Sequence, residues 1–196
     1  AFQQKYMAAE AGCDGAPGIT VCFFGDGASE EGVVYESINL AAVMKLPILF
    51  VIEDNLYAVN TPQSARRSPL FNRRAVYEGL GSHFLECDGN DFTSVHWHAR
   101  ALISGLRNSR GPAILHARVY RHMAHSGPIA DESVRVEDTK EVRDLYDPLT
   151  NLAKYIEAEP LHAITDRVNG LVIEAWTAAK QAPEPDEHDA LKGIYA

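Results

Sequence analysis

The chain has 196 residues, 46% of them hydrophobic and 23% charged, enough apolar material for one ordinary domain with a real core. A formal net charge of −9 excludes a nucleic-acid binder, since phosphate recognition needs a basic footprint. Three cysteines, Cys13, Cys22 and Cys87, are odd in number and lack disulfide or metal-ligand spacing, which points to a reducing, intracellular setting, and no apolar run reaches the ~20 residues of a membrane span.

Ala1 to Ala11 reads as a helix already under way, so residues upstream are expected. Ile19 to Phe24 is a short apolar run ending at glycine, as in a strand buried on both faces. Beyond Gly25-Asp26-Gly27, a helical stripe of Val34, Ile38, Ala41 and Ala42 follows. Ser29 is expected to cap it, with Glu30 and Glu31 in its first turn and Lys45 in its last, matching the helix dipole. Pro47 stops that helix, and Ile48 to Ile52 reads as a second buried strand, completing a right-handed βαβ unit with a parallel pair.

Residues 56–75 read as a loop containing a basic stretch, Arg66, Arg67, Arg73 and Arg74, expected to be a solvated face. His83 to Cys87 is a short strand. Asp91 starts a helix striped by Val95, Ala99, Leu102, Ile103 and Leu106; after Gly111-Pro112, Ala113 to Tyr120 forms a third strand. Arg121 to Val136 has no clear periodicity. Helices are expected over 137–146, 149–158 and 162–181, and Trp97 and Trp176 are expected to pack within helices. Residues 1–182 form the expected domain, and 183–196 a polar linker and tail. The fold class is α/β, a parallel sheet flanked by helices.

Ligands in such sheets bind at the carboxyl ends of the strands. Asp26 follows the first strand and Asn55 the second, so a carboxylate and an amide oxygen are offered at one edge, the ligand type a hard cation prefers. Gly27 and Ala28 let a phosphate approach the backbone, and the following helix presents free N–H groups and its positive dipole end. A cation site and a diphosphate site side by side are therefore expected.

Gly25-Asp26-Gly27, with Asn55 placed 29 residues after Asp26, resembles the thiamine-diphosphate signature. The ordered set GDGASEEGVVYE (25–36), Leu46-Pro47, EDNLY (53–57), Thr61-Pro62, DGND (88–91), VYR (119–121), His125-Ser126 and Asp147-Pro148 is similar to the α subunits of pyruvate, acetoin and branched-chain 2-oxo acid dehydrogenases, without their N-terminal region. The resemblance implies a thiamine-diphosphate-binding fold, with magnesium held by the side chains of Asp26 and Asn55 and by the backbone carbonyl of Tyr57. Gly25, Gly27 and Ala28 would line the diphosphate. His125 would reach the phosphates or the reacting centre, with Arg121 and Ser126 shaping its loop.

It further implies oxidative decarboxylation of a 2-oxo acid, acyl transfer to a lipoylated acyltransferase core, and a β subunit partner in a heterotetramer. The setting would be cytoplasmic, or the mitochondrial matrix in a eukaryote. Two alternatives share the fold: a transketolase- or carboligase-like subunit, and a catalytically silent assembly module. Asp54 departs from the family, which often has asparagine there, and so does Ala124, where glycine is usual; the loop after Ser126 also lacks the familiar tyrosine-arginine pair. The remaining histidines, His116 among them, show no zinc-ligand spacing and read as structural or solvated.

Overall fold

A computed structural model describes residues 18–108, 111–127, 140–184, 186–189 and 192. The expected helix at 1–11, Cys13 and the loop at 128–139 lie outside the described residues. The chain divides into two compact units, Ala1–Leu152 and Ala153–Ala196.

In the first unit, β1 (Thr20–Gly25) leads through a 3-10 turn at Ala28–Glu30 into helix α1 (Gly32–Val43) and then β2 (Ile48–Asp54). A two-residue hairpin, β3 (Tyr57–Ala58) and β4 (Thr61–Pro62), is followed by helices α2 (Gln63–Arg66) and α3 (Arg73–Gly79). Strand β5 (His83–Asp88), helix α4 (Phe92–Arg107) and strand β6 (Ala113–Arg118) complete the sheet. Helices α5 (Lys140–Tyr146) and α6 (Pro148–Ala153) follow.

The sheet order is β1–β2–β6–β5, and every pairing is parallel. All four strands therefore deliver their carboxyl ends to one edge. One face packs Ile38 and Ala41 of α1 and Tyr77 of α3 onto Phe50, Ile52, Phe84 and Ile114. The other packs the α4 stripe, Val95, Ala99, Leu102, Ile103 and Leu106, onto Leu49, Val51, Leu115 and Ala117. The 3.6-residue spacing of these stripes produces that two-sided burial.

Several local expectations are corrected. Strand β1 is not buried on both faces: among the described residues it stands at the edge of the sheet, and its Phe23 is 66% exposed. Ser29 does not cap α1; it lies in the 3-10 turn, its hydroxyl donates to the Asp26 carbonyl, and α1 begins at Gly32. Lys45 lies past the end of α1 in a left-handed conformation, with φ 49°. Residues 56–75 hold the hairpin and the start of α3 instead of an irregular loop, because local polar chemistry there carries no hydrophobic period to read. Asp91 does cap α4, accepting from Thr93 N at 2.9 Å.

The second unit is dominated by helix α7 (Ala158–Gln181). Its apolar stripe of Ile164, Val168, Leu171 and Val172 is exposed, as is Trp176, which lies under the Lys180 ammonium. Trp97 of α4 is likewise exposed, flanked by Arg100 and His96. The expected packing role of both tryptophans is not met among the described residues. No described helix is long and apolar enough to cross a membrane.

Candidate functional site at the strand tips

The parallel register sets Gly25 beside Glu53, which brings Asp26 level with Asp54. Asp26 N donates to the Glu53 carbonyl at 3.2 Å, prolonging the ladder one residue past the strand. Both carboxylates are buried: Asp26 is 1% exposed and Asp54 3%. One amide serves the two, since Gln63 Nε2 lies 3.5 Å from Asp26 Oδ2 and 3.2 Å from each Asp54 oxygen.

The turn after β2 packs against the turn after β1. A Cβ placed on Gly27 would stand 2.6 Å from Ala58 Cβ and 3.3 Å from Ala58 Cα. Gly27 is therefore required by the close approach of the Tyr57–Ala58 backbone. Its own conformation is ordinary right-handed helical, with φ −62° and ψ −48°, so no positive φ is involved. Asn55 turns its Oδ1 onto Tyr57 N at 3.0 Å, an Asx turn. Around it, Leu56 and Val59 adopt left-handed conformations, with φ 70° and 56°. Each such residue costs on the order of 1–3 kcal/mol unless its surroundings over-determine it, a pattern that concentrates at functional sites. Here Arg121 Nη1 donates to the Val59 carbonyl at 2.7 Å and its guanidinium stands over the Tyr57 ring.

The basic stretch closes over this edge instead of pointing to solvent, which corrects its reading as a solvated face. Arg66 Nη2 lies 2.5 Å from Asp26 Oδ2, and its Nη1 lies 2.5 Å from Glu30 Oε1. Arg67 Nε reaches the same Glu30 oxygen at 2.6 Å, and its Nη2 donates to Ser29 Oγ and to the Asp26 carbonyl. Arg73 pairs with Asp54 Oδ2 at 3.0 Å and donates to Gln63 Oε1. Arg74 does remain half-exposed, bonded to Glu78 one turn on. Three guanidinium groups thus balance the carboxylates of Asp26, Glu30 and Asp54. Burial works to raise the Glu30 carboxyl, but the Arg67 and Arg66 hydrogen bonds and charges hold it below its ordinary value.

The model of the family described as dehydrogenase E1 component matches residues 2–188. The chain belongs to that family. It is 34% identical to the pyruvate dehydrogenase E1 component subunit alpha of Zymomonas mobilis over 99% of this chain and 54% of that protein. It is 32% and 35% identical to the acetoin:2,6-dichlorophenolindophenol oxidoreductase alpha subunits of Bacillus subtilis and Cupriavidus necator, over 90% and 92% of this chain and 54% and 55% of theirs. The chain therefore spans about half the length of the curated relatives it matches. A crystal structure of transketolase from Campylobacter jejuni covers 53% of this chain at 21% identity and TM-score 0.46, a likeness that carries no functional argument.

Within this dehydrogenase E1 domain the expected site residues fall into two groups. Asp26, Gly27, Asn55 and Tyr57 gather where the turns after β1 and β2 meet. Gly25 and Ala28 flank Asp26 on the exposed side. His125 is exposed, and among the described residues it is not joined to Asp26 or Asn55. Beside the same edge opens a cleft of about 1230 Å³, lined among others by Asn55, Tyr57, Arg73, Asn90, Arg118 and Tyr120.

Sequence reasoning missed Gln63, Arg73, His116 and Glu86. His116 is 1% exposed in the centre of the sheet; its Nε2 lies 2.9 Å from Asp54 Oδ2, and its Nδ1 faces Glu86 Oε2 at 3.3 Å without hydrogen-bond alignment. Burial would raise the Asp54 carboxyl, yet the His116 hydrogen bond, the Leu56 N–H, the Gln63 amide and the charge of His116 hold it far below the carboxylate range. A histidine inside the otherwise apolar run of β6 was the available signal.

Proposed function

We propose that this chain is the diphosphate- and magnesium-binding part of a thiamine-diphosphate-dependent 2-oxo acid dehydrogenase α subunit, acting with a β subunit. The observation that supports it most is the seating of the Asn55–Ala58 turn against Gly27 beside the buried Asp26. Membership of the dehydrogenase E1 family, with pyruvate and acetoin enzyme subunits among the relatives, favours the dehydrogenase over a transketolase-like or silent subunit.

The donor chemistry fits a hard cation. Asp26 supplies a buried carboxylate, Asn55 an amide oxygen and Tyr57 a backbone carbonyl, all oxygen ligands, and magnesium completes its shell with phosphate oxygens and water. Among the described residues no cluster of three or more His, Cys, Asp or Glu side chains competes for a metal. When bound, thiamine diphosphate supplies the carbanion-stabilising group needed for decarboxylation. The chain's own contribution is to bind and orient. Asp26, Asn55 and Tyr57 would hold the ion that anchors the diphosphate, and the backbone from Gly25 to Ala28 would border the phosphates. His125 would reach the phosphates or the reacting centre. The reaction proposed is oxidative decarboxylation of a 2-oxo acid with acyl transfer to a lipoylated acyltransferase core.

The test is isothermal titration of the full-length protein, assembled with its β subunit, with thiamine diphosphate in the presence and absence of Mg²⁺. Binding is expected to need the cation and to be lost in Asp26→Ala. Equal binding by that variant, or binding indifferent to Mg²⁺, would reject the site.

A further inference from the structure

Asp54 and His116 take no part in the reading above, yet they are buried side by side at the tip that carries Asn55. We propose that His116 is a positioning residue: through Asp54 it fixes the left-handed turn that presents Asn55 and Tyr57. The consequence for cofactor binding rests on the cation-site reading; the positioning role does not.

The chain of contacts is short. His116 Nε2 donates to Asp54 Oδ2 at 2.9 Å, and the other oxygen of that carboxylate, Oδ1, accepts from Leu56 N at 2.9 Å. Leu56 is the residue with φ 70°, and Asn55 Oδ1 then holds Tyr57 N. A backbone that leucine disfavours is thus pinned by two consecutive side-chain acceptors, and the first of them is itself aimed by a ring nitrogen.

Asp54 has other donors, Gln63 and Arg73, but these are long side chains from the segment that closes over the edge, and Arg73 is 23% exposed. His116 differs in kind. It belongs to β6, between β2 and β5, and its ring stacks on Phe84 with centroids 6.0 Å apart. Its Nε2 therefore stands at a place set by the sheet, and the carboxylate must orient to it. This also gives a reason for aspartate at position 54: a carboxylate can accept from His116 on one oxygen and from Leu56 N on the other, whereas an asparagine amide offers one acceptor only.

The rival account is that His116 only fills space against Phe84. Two substitutions separate the accounts in the full-length protein. His116→Phe keeps a stacking ring and removes the donor; His116→Gln removes the ring and returns an N–H near the place of Nε2. Hydrogen exchange is read at the Leu56 and Tyr57 amides and in the interior of β2 and β6. In His116→Phe the turn amides are expected to exchange at least tenfold faster, with the strand interiors changed less than threefold. In His116→Gln the turn is expected to stay within threefold of the parent. The double variant His116→Phe/Asp54→Asn, which replaces the buried carboxylate with a neutral amide, is expected to show the same acceleration and serves if the single variant does not fold. Equal exchange at the turn in the Phe and Gln variants, or a turn as protected in the Phe or double variant as in the parent, overturns the proposal. A parallel titration with Mg²⁺ and thiamine diphosphate is expected to show binding at least tenfold weaker in His116→Phe and within threefold of the parent in His116→Gln. Absence of any cation-dependent binding in the parent would sink the cation-site reading by itself, while the exchange data still decide the role of His116.

Discussion

The guanidinium of Arg66 lies 2.5 Å from Asp26 Oδ2, the carboxylate oxygen that also faces Gln63. Burial alone would lower the Arg66 pKa; the hydrogen bonds and charges of Asp26 and Glu30 override it and raise the pKa. A divalent ion held by Asp26 and this guanidinium are alternative positive partners for one buried carboxylate. On the proposed cation-site reading, metal loading is expected to draw Arg66 away from Oδ2.

Arg66→Met keeps most of the aliphatic stem and removes the rival charge. Hydrogen bonds to charged groups contribute about 1.5–3 kcal/mol, so a gain in Mg²⁺ affinity of about tenfold, or about 1.4 kcal/mol, is expected. The same variant should lose stability in the absence of cation, because Asp26 and Glu30 each lose a partner. Calorimetric titration with MgCl₂ and thermal unfolding with and without the ion measure both effects. Unchanged or weaker Mg²⁺ binding would show that Arg66 does not compete.

Gly27→Ala tests the contact between the two turns. Its new Cβ would stand 2.6 Å from Ala58 Cβ, so the hairpin backbone must shift. Overpacking of this kind costs about 1–3 kcal/mol. The double variant Gly27→Ala/Ala58→Gly should recover at least half the loss, since the closest atom is then gone. Gly25→Ala is the control: its Cβ meets only the Glu53 carbonyl oxygen, at 4.0 Å. Denaturant unfolding of the four proteins gives the comparison, and a Gly27→Ala variant as stable as the parent would refute the close approach.

Tyr77 is fully buried, and its ring stacks against Tyr35 and Phe84 with centroids 6.2 and 6.0 Å away. Its hydroxyl makes no aligned hydrogen bond among the described residues, and burial outweighs the nearby Ser29 hydroxyl to raise its pKa above the ordinary tyrosine value. Removing an unpaired buried hydroxyl is close to neutral, whereas removing a large core ring costs about 3–5 kcal/mol. Tyr77→Phe is therefore expected within about 1 kcal/mol of the parent and Tyr77→Ala several kcal/mol below it. A large loss in Tyr77→Phe, measured by denaturant unfolding, would reveal a partner for the hydroxyl.

Strands β1, β2 and β6 and helices α1 and α4 were legible in the sequence because each is a run or stripe of apolar residues whose period matches its element. The meeting of Asp26, Gly27, Asn55 and Tyr57 at one edge was legible too, from their place at strand ends. The hairpin at 57–62 and the role of Arg66, Arg67 and Arg73 were not. Polar and charged residues carry no period, and their partners lie far off in sequence, 40 residues away for Arg66 and Asp26.

The sequence by itself determined that the sheet is parallel, that Asp26 and Asn55 stand at neighbouring strand ends, and which family the motifs resemble, because local patterning encodes element type and connection order. Only the tertiary structure decided which charges meet. Strand register brought Asp54, not Asn55, level with Asp26, and sheet order set β6 beside β2 so that His116 reaches Asp54 across 62 residues of chain. Register and order follow from the packing of whole elements, so no single stretch of residues records them.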